Sequence, residues 1–260
     1  MAYARADRSA LVDRLRAAGC VYAEDEADLL LAAADDPATV ADLTERRVAG
    51  EPLEYLLGWA EFCGLRIAVD AGVFVPRGRT ALLVEAAAAL TGPAPAVVDL
   101  CCGSGATTVA LAHRLAPRWL AAADIDPAAV ACARRNLAGL SAEVFEGDLF
   151  APLPPSWRGR LDLVVANAPY VPTDAVALMP PEARLHEAPV ALDGGPDGLS
   201  VLRRVGAEAV HWLAPGGHLV VEAGEDQVDA LQEAFAALGL RTTVHHDDNL
   251  DATALTARRP

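Results

Sequence analysis

The 260-residue chain is 53% hydrophobic, enough to build one large domain or a medium one with a small companion. Its formal net charge is −15 and every basic residue is Arg, which disfavours a nucleic acid as direct partner because basic groups supply that affinity. No apolar run is long enough to span a bilayer, residues 1–10 hold no apolar secretory core, and the five cysteines (Cys20, Cys63, Cys101, Cys102 and Cys132) form neither a C-x-x-C pair nor a zinc spacing with histidine, so a cytoplasmic, metal-free protein with reduced thiols is expected.

Up to about Ala49 the chain reads as helices. Leu11, Val12 and Leu15 recur at helical spacing, as do Leu29 and Leu30, and then Val40, Leu43 and Val48. Asp36-Pro37 has the form of a helix start, since Pro is tolerated in the first turn. The acidic run Glu24-Asp25-Glu26 reads as a solvated helix start. Gly50-Glu51-Pro52 breaks the pattern. Alternation of Leu65, Ile67 and Val69, with Asp70-Ala71-Gly72 as turn residues, predicts a β-hairpin or a pair of short strands within 62–75.

From Thr80 onward strand and helix alternate. A helix over 81–90 is followed by strands at 96–100, 120–124, 142–146, 161–166, 218–222, 241–245 and 252–257. Helices fall between them at 107–115, 127–137, 199–213 and 227–238. The alternation implies a mainly parallel sheet covered on both faces. Residues 247–251 are too few for a crossover helix, so the last two strands should pair antiparallel. The expected organisation is α/β: a small helical domain over 1–60, a hairpin linker over 61–78, and a seven-stranded, mostly parallel, doubly wound sheet over 79–260.

Val97-Val98-Asp99-Leu100 runs into the small-residue loop Cys101-Cys102-Gly103-Ser104-Gly105 and then a helix. In open parallel sheets, ligands sit beyond the carboxyl ends of the strands, and small residues let them approach the backbone. A glycine loop alone fits an ordinary turn or a nicotinamide site equally well. Three carboxylates sharpen the reading. Asp99 precedes the loop, where it can orient it or meet a cationic amino group. Asp124, followed by Ile125, ends the next strand, where a carboxylate can accept both ribose hydroxyls. Asp148 follows the third strand, where it can accept from an adenine amino group while Leu149 packs on the ring. Each alone reads as a cap or turn residue. Together they are better explained by one adenosine-containing ligand, bound by these residues and the loop.

After the fourth strand comes Asn167-Ala168-Pro169-Tyr170, at the same sheet edge. An amide nitrogen is a poor nucleophile because its lone pair is delocalised. The Asn167 side-chain oxygen and the Ala168 carbonyl can accept its two hydrogens and aim the lone pair at the cofactor, which Asn167 also abuts. Tyr170 can cover the flat face of the acceptor and Pro169 stiffens the turn. Orientation of this kind can supply a large part of a barrier reduction. Asn167, Pro169 and Tyr170 are thus candidate catalytic residues, and Asn167 to Tyr170 candidate acceptor-binding residues. His186 and Glu187 read as a solvated loop. Arg77 and Arg79 read either as contacts to the cofactor's carboxylate or an acidic substrate, or as surface ion-pair partners. The position of Cys101 and Cys102 predicts inhibition by thiol alkylation.

These motifs resemble those of the protein-(glutamine-N5) methyltransferases that modify peptide-chain release factors. The resemblance runs from about Val40 to the C-terminus. Arg46-Arg47-x-x-Gly50-Glu51-Pro52-Leu53-x-Tyr55-x-x-Gly58 resembles that family's interdomain signature. Phe62-x-Gly64, Val75-Pro76-Arg77, Leu192-x-Gly194-Gly195-x-Asp197-Gly198-Leu199 and Glu222-x-Gly224-x-x-Gln227 continue it. The resemblance implies a class I, Rossmann-like methyltransferase using S-adenosyl-L-methionine, with a protein glutamine as acceptor and a release factor as partner. In the family an Asn-Pro-Pro-Tyr motif binds the glutamine amide, a role that falls here on Asn167 to Tyr170. Three departures stand out. Ala168 replaces Pro. Cys101 replaces Gly, which calls for a negative φ there. Pro76-Arg77-Gly78-Arg79-Thr80-Ala81 replaces Pro-Arg-Pro-Glu-Thr-Glu, losing two acids and gaining an Arg. The N-terminal helical region is also shorter than is usual in the family. These leave open methylation of a small-molecule or nucleobase amino group, or a noncatalytic cofactor-binding relative.

Overall fold

The computed structural model describes residues 2–260, with side chains from residue 8 onward, so Met1, where the stretch read for a leader begins, lies outside it. Helices α1 (Ala2–Ala17), α2 (Ala23–Ala33) and α3 (Pro37–Val48) pack through Leu11, Leu15, Ala27, Leu30 and Leu43. The start of α3 is the one its sequence implies. The Asp36 carboxylate accepts from Ala38 N at 3.1 Å and Thr39 N at 2.9 Å, with Pro37 in the first turn. The acidic run differs from expectation. Glu26 is buried and paired with Arg47 at 2.7 Å, because α3 lies across its side of α2.

A short α4 (Leu53–Leu57) leads to a hairpin of β1 (Trp59–Phe62) and β2 (Leu65–Ala68). Its turn is Cys63-Gly64, not Asp70-Ala71-Gly72. Both turn residues take positive φ, as a tight two-residue hairpin requires. Residues 70–72 do turn, with Val73 N donating to Asp70 O at 3.1 Å, but no strand pairs beyond them.

The remainder follows the expected alternation: α5 (Ala81–Ala89), β3 (Ala96–Leu100), α6 (Ala106–Leu115), β4 (Trp119–Asp124), α7 (Pro127–Asn136), β5 (Glu143–Glu146) and β6 (Leu161–Ala166). Two short helices, α8 (Thr173–Val176) and α9 (Pro181–His186), precede α10 (Ser200–Trp212), β7 (Leu213–Glu222), α11 (Val228–Ala237), β8 (Arg241–Asp247) and β9 (Ala252–Arg258). β7 begins five residues before the expected 218, because Leu213 already pairs with Leu161 and a register shift absorbs the residues before His218.

The seven strands lie in the order β5-β4-β3-β6-β7-β9-β8, parallel except for the antiparallel pairs that β9 makes with β7 and β8. Alternation along each strand feeds two cores. Val98, Leu100, Val164 and Ala166 face one, and Val97, Leu163 and Val165 the other. Strand order reverses between β3 and β6, and Leu100 lies abreast of Ala166. The loops after these strands therefore open side by side at the switch point, where open α/β sheets hold ligands. Among the described residues no helix is long and apolar enough to cross a membrane.

Candidate active site

A cavity of about 430 Å³ opens there. On one side it is lined by Asp99, Cys101, Cys102, Gly103, Ser104, Asp124, Ile125, Asp148 and Leu149, and on the other by Asn167, Ala168, Pro169 and Tyr170. Arg77, Arg79, Thr80 and residues 188–193 complete its wall. Gly105 is the exception among the expected residues. At φ +79° it packs α6 against α7, and a Cβ there would lie 3.2 Å from that of Ala133.

The loop after β3 turns at once. Cys102 N donates to Ala123 O at 3.1 Å, Gly103 N to Asp124 Oδ2 at 2.8 Å, and Gly105 N to Cys102 O at 2.8 Å. To reach these partners Cys101 adopts φ +54°, against the expected negative value. A left-handed non-glycine residue costs about 1–2 kcal/mol, which the three bonds offset.

Asp99 is buried and accepts from Thr108 Oγ1 at 2.5 Å. Burial pushes its carboxyl up to about 7, and the nearby Asp124 adds to the rise. Burial also raises the Asp124 carboxyl. Its Oδ1 accepts from Asp126 N at 2.9 Å and its Oδ2 from Gly103 N, so each oxygen keeps acceptor capacity for a ligand hydroxyl. Asp148 lies at the rim, paired through Oδ2 with Arg204 at 2.6 Å. The two loop thiols are raised by burial and then by Asp124 and Asp99. The thiolate is the nucleophile in alkylation, so this rise works against the expected reactivity of the pair.

Across the cavity, Asn167 Nδ2 donates to Thr80 Oγ1 at 3.1 Å. That contact leaves Oδ1 to accept from a ligand. The Tyr170 hydroxyl donates to Glu222 Oε1 at 2.9 Å, and burial raises its pKa. The backbone here is braced from two directions. Gln227 Nε2 donates to Tyr170 O at 2.8 Å and to Asp197 O at 3.1 Å. Gly194 N donates to Val171 O at 2.8 Å, and Val171 N to Leu192 O at 3.2 Å. The motifs 192–199 and 222–227, which carried a resemblance and no role, thus hold the Asn167–Tyr170 loop. Thr80 went unassigned, although it is the residue that the altered Pro76–Ala81 segment retains beside Asn167. Glu187 is no solvated loop residue. It is buried, accepts from Val75 N at 3.1 Å and pairs with Arg77 at 2.5 Å, because α9 folds back over the linker.

Residues 64–204 match the family model described as methyltransferase small domain. A release factor glutamine methyltransferase of Mycolicibacterium smegmatis is 43% identical over 223 residues, 82% of this chain and 78% of its own. This chain belongs to the release factor glutamine methyltransferase family. It is an S-adenosylmethionine-dependent methyltransferase. A 4-amino-L-phenylalanine/4-methylamino-L-phenylalanine methyltransferase of Streptomyces pristinaespiralis is 35% identical over 242 residues, 90% of this chain and 82% of its own. The fold matches that of a methyltransferase from Pyrococcus furiosus with a TM-score of 0.58 at 16% identity, over 76% of this chain and 90% of that one. The donor set fits the cofactor. The buried carboxylate of Asp99 suits a cationic amino acid and the half-buried one of Asp124 a ribose diol, and the loop backbone between them lies open at Gly103.

Proposed function

We propose that this enzyme methylates the planar –NH2 of a protein glutamine, in a release factor or a protein like it. The observation that carries the reading is the tether of Asn167. With its amide nitrogen on Thr80, its oxygen is presented to the cavity. That oxygen and the Ala168 carbonyl take the two hydrogens of the acceptor and hold its nitrogen for in-line attack. Bound S-adenosylmethionine supplies the electrophilic methyl. Asp99 and the loop Cys101–Ser104 take its amino-acid portion, Asp124 and Ile125 the ribose, and Asp148 and Leu149 the base. Tyr170, fixed by Glu222 and Gln227, covers the acceptor group. No base is built in, because the methylated nitrogen sheds its proton readily. In this reading the helices and hairpin before residue 79 serve recognition of the protein partner. A cytoplasmic setting fits the five free thiols.

A second reading, an amino group on a small molecule, is favoured by the aryl-amine methyltransferase that matches 90% of the chain. Transfer of labelled methyl from S-adenosylmethionine to a purified release factor and to 4-amino-L-phenylalanine separates the two. We expect Asn167→Ala to lower kcat by about a hundredfold or more, and Thr80→Val by about tenfold, through lost orientation. Affinity for S-adenosylhomocysteine should stay within about twofold of the parent, since orientation of the acceptor is what is lost. Undiminished transfer by Asn167→Ala would sink the –NH2 reading.

A further inference from the structure

Three arginines line the cavity, Arg77, Arg79 and Arg204. Arg77 commits a terminal nitrogen to Glu187 at 2.5 Å, and Arg204 one to Asp148 at 2.6 Å. Arg79 differs. It reaches Glu222 Oε1 through Nε at 3.2 Å, longer than the ~2.7–2.9 Å of a strong charge-assisted bond. That same oxygen already accepts the Tyr170 hydroxyl. Neither terminal nitrogen of Arg79 meets hydrogen-bond geometry with a partner among the described residues, although the Tyr170 hydroxyl is a near neighbour, and its side chain is 44% exposed. The guanidinium carbon lies 6.0 Å from the centre of the Tyr170 ring, which places the group in the half of the cavity lined by Asn167–Tyr170. A guanidinium with Nε occupied still offers its two terminal N–H groups side by side, the geometry that takes a carboxylate bidentately.

A simple counter-charge for Glu222 would close on both carboxylate oxygens. Here Glu222 Oε2 is buried with no partner, and the guanidinium reaches Glu222 through Nε alone. The chain as a whole carries a net charge of −15, so its long-range field repels anions and only a local contact can select one.

We propose that Arg79 binds a carboxylate carried by the methyl acceptor itself, so that preferred acceptors join a planar –NH2 to an acidic group. This rests on Asn167 holding the –NH2 and deepens it by naming a second recognition point. The carboxylate can belong to a free amino acid or to an acidic side chain beside a glutamine.

Two acceptor pairs test it by calorimetry on the enzyme loaded with S-adenosylhomocysteine. One is 4-amino-L-phenylalanine against its decarboxylated counterpart, 4-(2-aminoethyl)aniline. The other is a peptide with glutamine followed by Asp against the same peptide with Asn. In the parent enzyme one pair should show about a tenfold to hundredfold preference for the acidic member, the range of a hydrogen bond to a charged group. In Arg79→Gln that preference should fall to about twofold, with an unchanged thermal midpoint as evidence of folding. The pair that shows the effect identifies the source of the carboxylate. Equal binding within both pairs, binding of neither pair, or a preference that survives Arg79→Gln overturns the proposal. Methyl transfer by Asn167→Ala is a separate readout, so loss of the –NH2 reading is distinguishable from loss of this one.

Discussion

Asp99 lies inside the protein with Thr108 as its hydrogen-bond partner, and its carboxyl is lifted to about 7 by burial first and by Asp124 next. In the unfolded chain the same group titrates near the ordinary value, about 3.9. Below both values it is neutral in either state and carries no penalty. Above both it is charged in a site that disfavours charge. Its contribution to stability is therefore lost as pH rises from about 4 through about 7. Three units of displacement set an upper limit of roughly 4 kcal/mol on that loss. We expect Asp99→Asn to be the more stable protein at pH 8 without cofactor, with its advantage shrinking steadily toward pH 4. Urea unfolding across that range measures it, and an advantage that does not change with pH would remove Asp99 as the cause. If Asp99 takes the cofactor's ammonium, as proposed, that contact reverses the preference and holds Asp99 ionised. Cofactor affinity should then rise between pH 6 and 8, and calorimetry in buffers of different ionisation enthalpy should register a released proton.

The Asn167–Tyr170 loop takes its shape from segments remote in sequence. At Gly198, φ +75°, a Cβ would collide with Tyr170 O and Gln227 Nε2. At Gly194 it would lie 2.6 Å from Pro169 O. Gly139 has a similar φ, +88°, with nothing within 4 Å. The two positions separate backbone strain from contact. Gly198→Ala and Gly139→Ala should each cost about 1 kcal/mol or more of stability. Only Gly198→Ala should also lower kcat, by about a hundredfold, because it displaces the Asn167–Tyr170 loop, the proposed acceptor site, by a fraction of an ångström or more. Equal kcat in the two variants would show that the brace is not needed. The same contrast explains what could be read beforehand. Asp99, Asp124 and Asn167 end strands whose apolar runs announce themselves, so their meeting at one sheet edge follows from β/α alternation. The hairpin turn lies away from its expected place because Cys63-Gly64 offers a single glycine beside a Cys at φ +52°, a weaker turn signal than Asp70-Ala71-Gly72. Glu187 and Thr80 were missed because their partners lie 110 and 87 residues away, beyond the reach of any periodicity.

At the scale of the molecule, one guanidinium joins the N-terminal helices to the segment that leads into the cavity wall. Arg47 on α3 is buried. It binds Glu26 on α2 at 2.7 Å, Glu182 on α9 at 2.6 Å and the Glu51 carbonyl at 3.2 Å. Just beyond α9, Glu187 pairs with Arg77, and residues 188–193 line the cavity. The two arms of Arg47 are unequal. Glu26 is nearly enclosed, whereas the Glu182 side chain is 47% exposed. Removing Arg47 strands the Glu26 carboxylate, which costs about 3–5 kcal/mol. Losing the solvated arm costs at most about 1 kcal/mol. For a chain of this length 1 kcal/mol moves the thermal midpoint by about 2–4 °C. Arg47→Met should therefore lower it by on the order of 10 °C, and Glu182→Gln by no more than about 4 °C. Adding Glu26→Gln to Arg47→Met should recover much of the loss, because the penalty is the stranded charge and not the missing contact. If the double variant melts no higher than Arg47→Met alone, the junction is held by packing of α2, α3 and α9, and the ion pair is incidental to it.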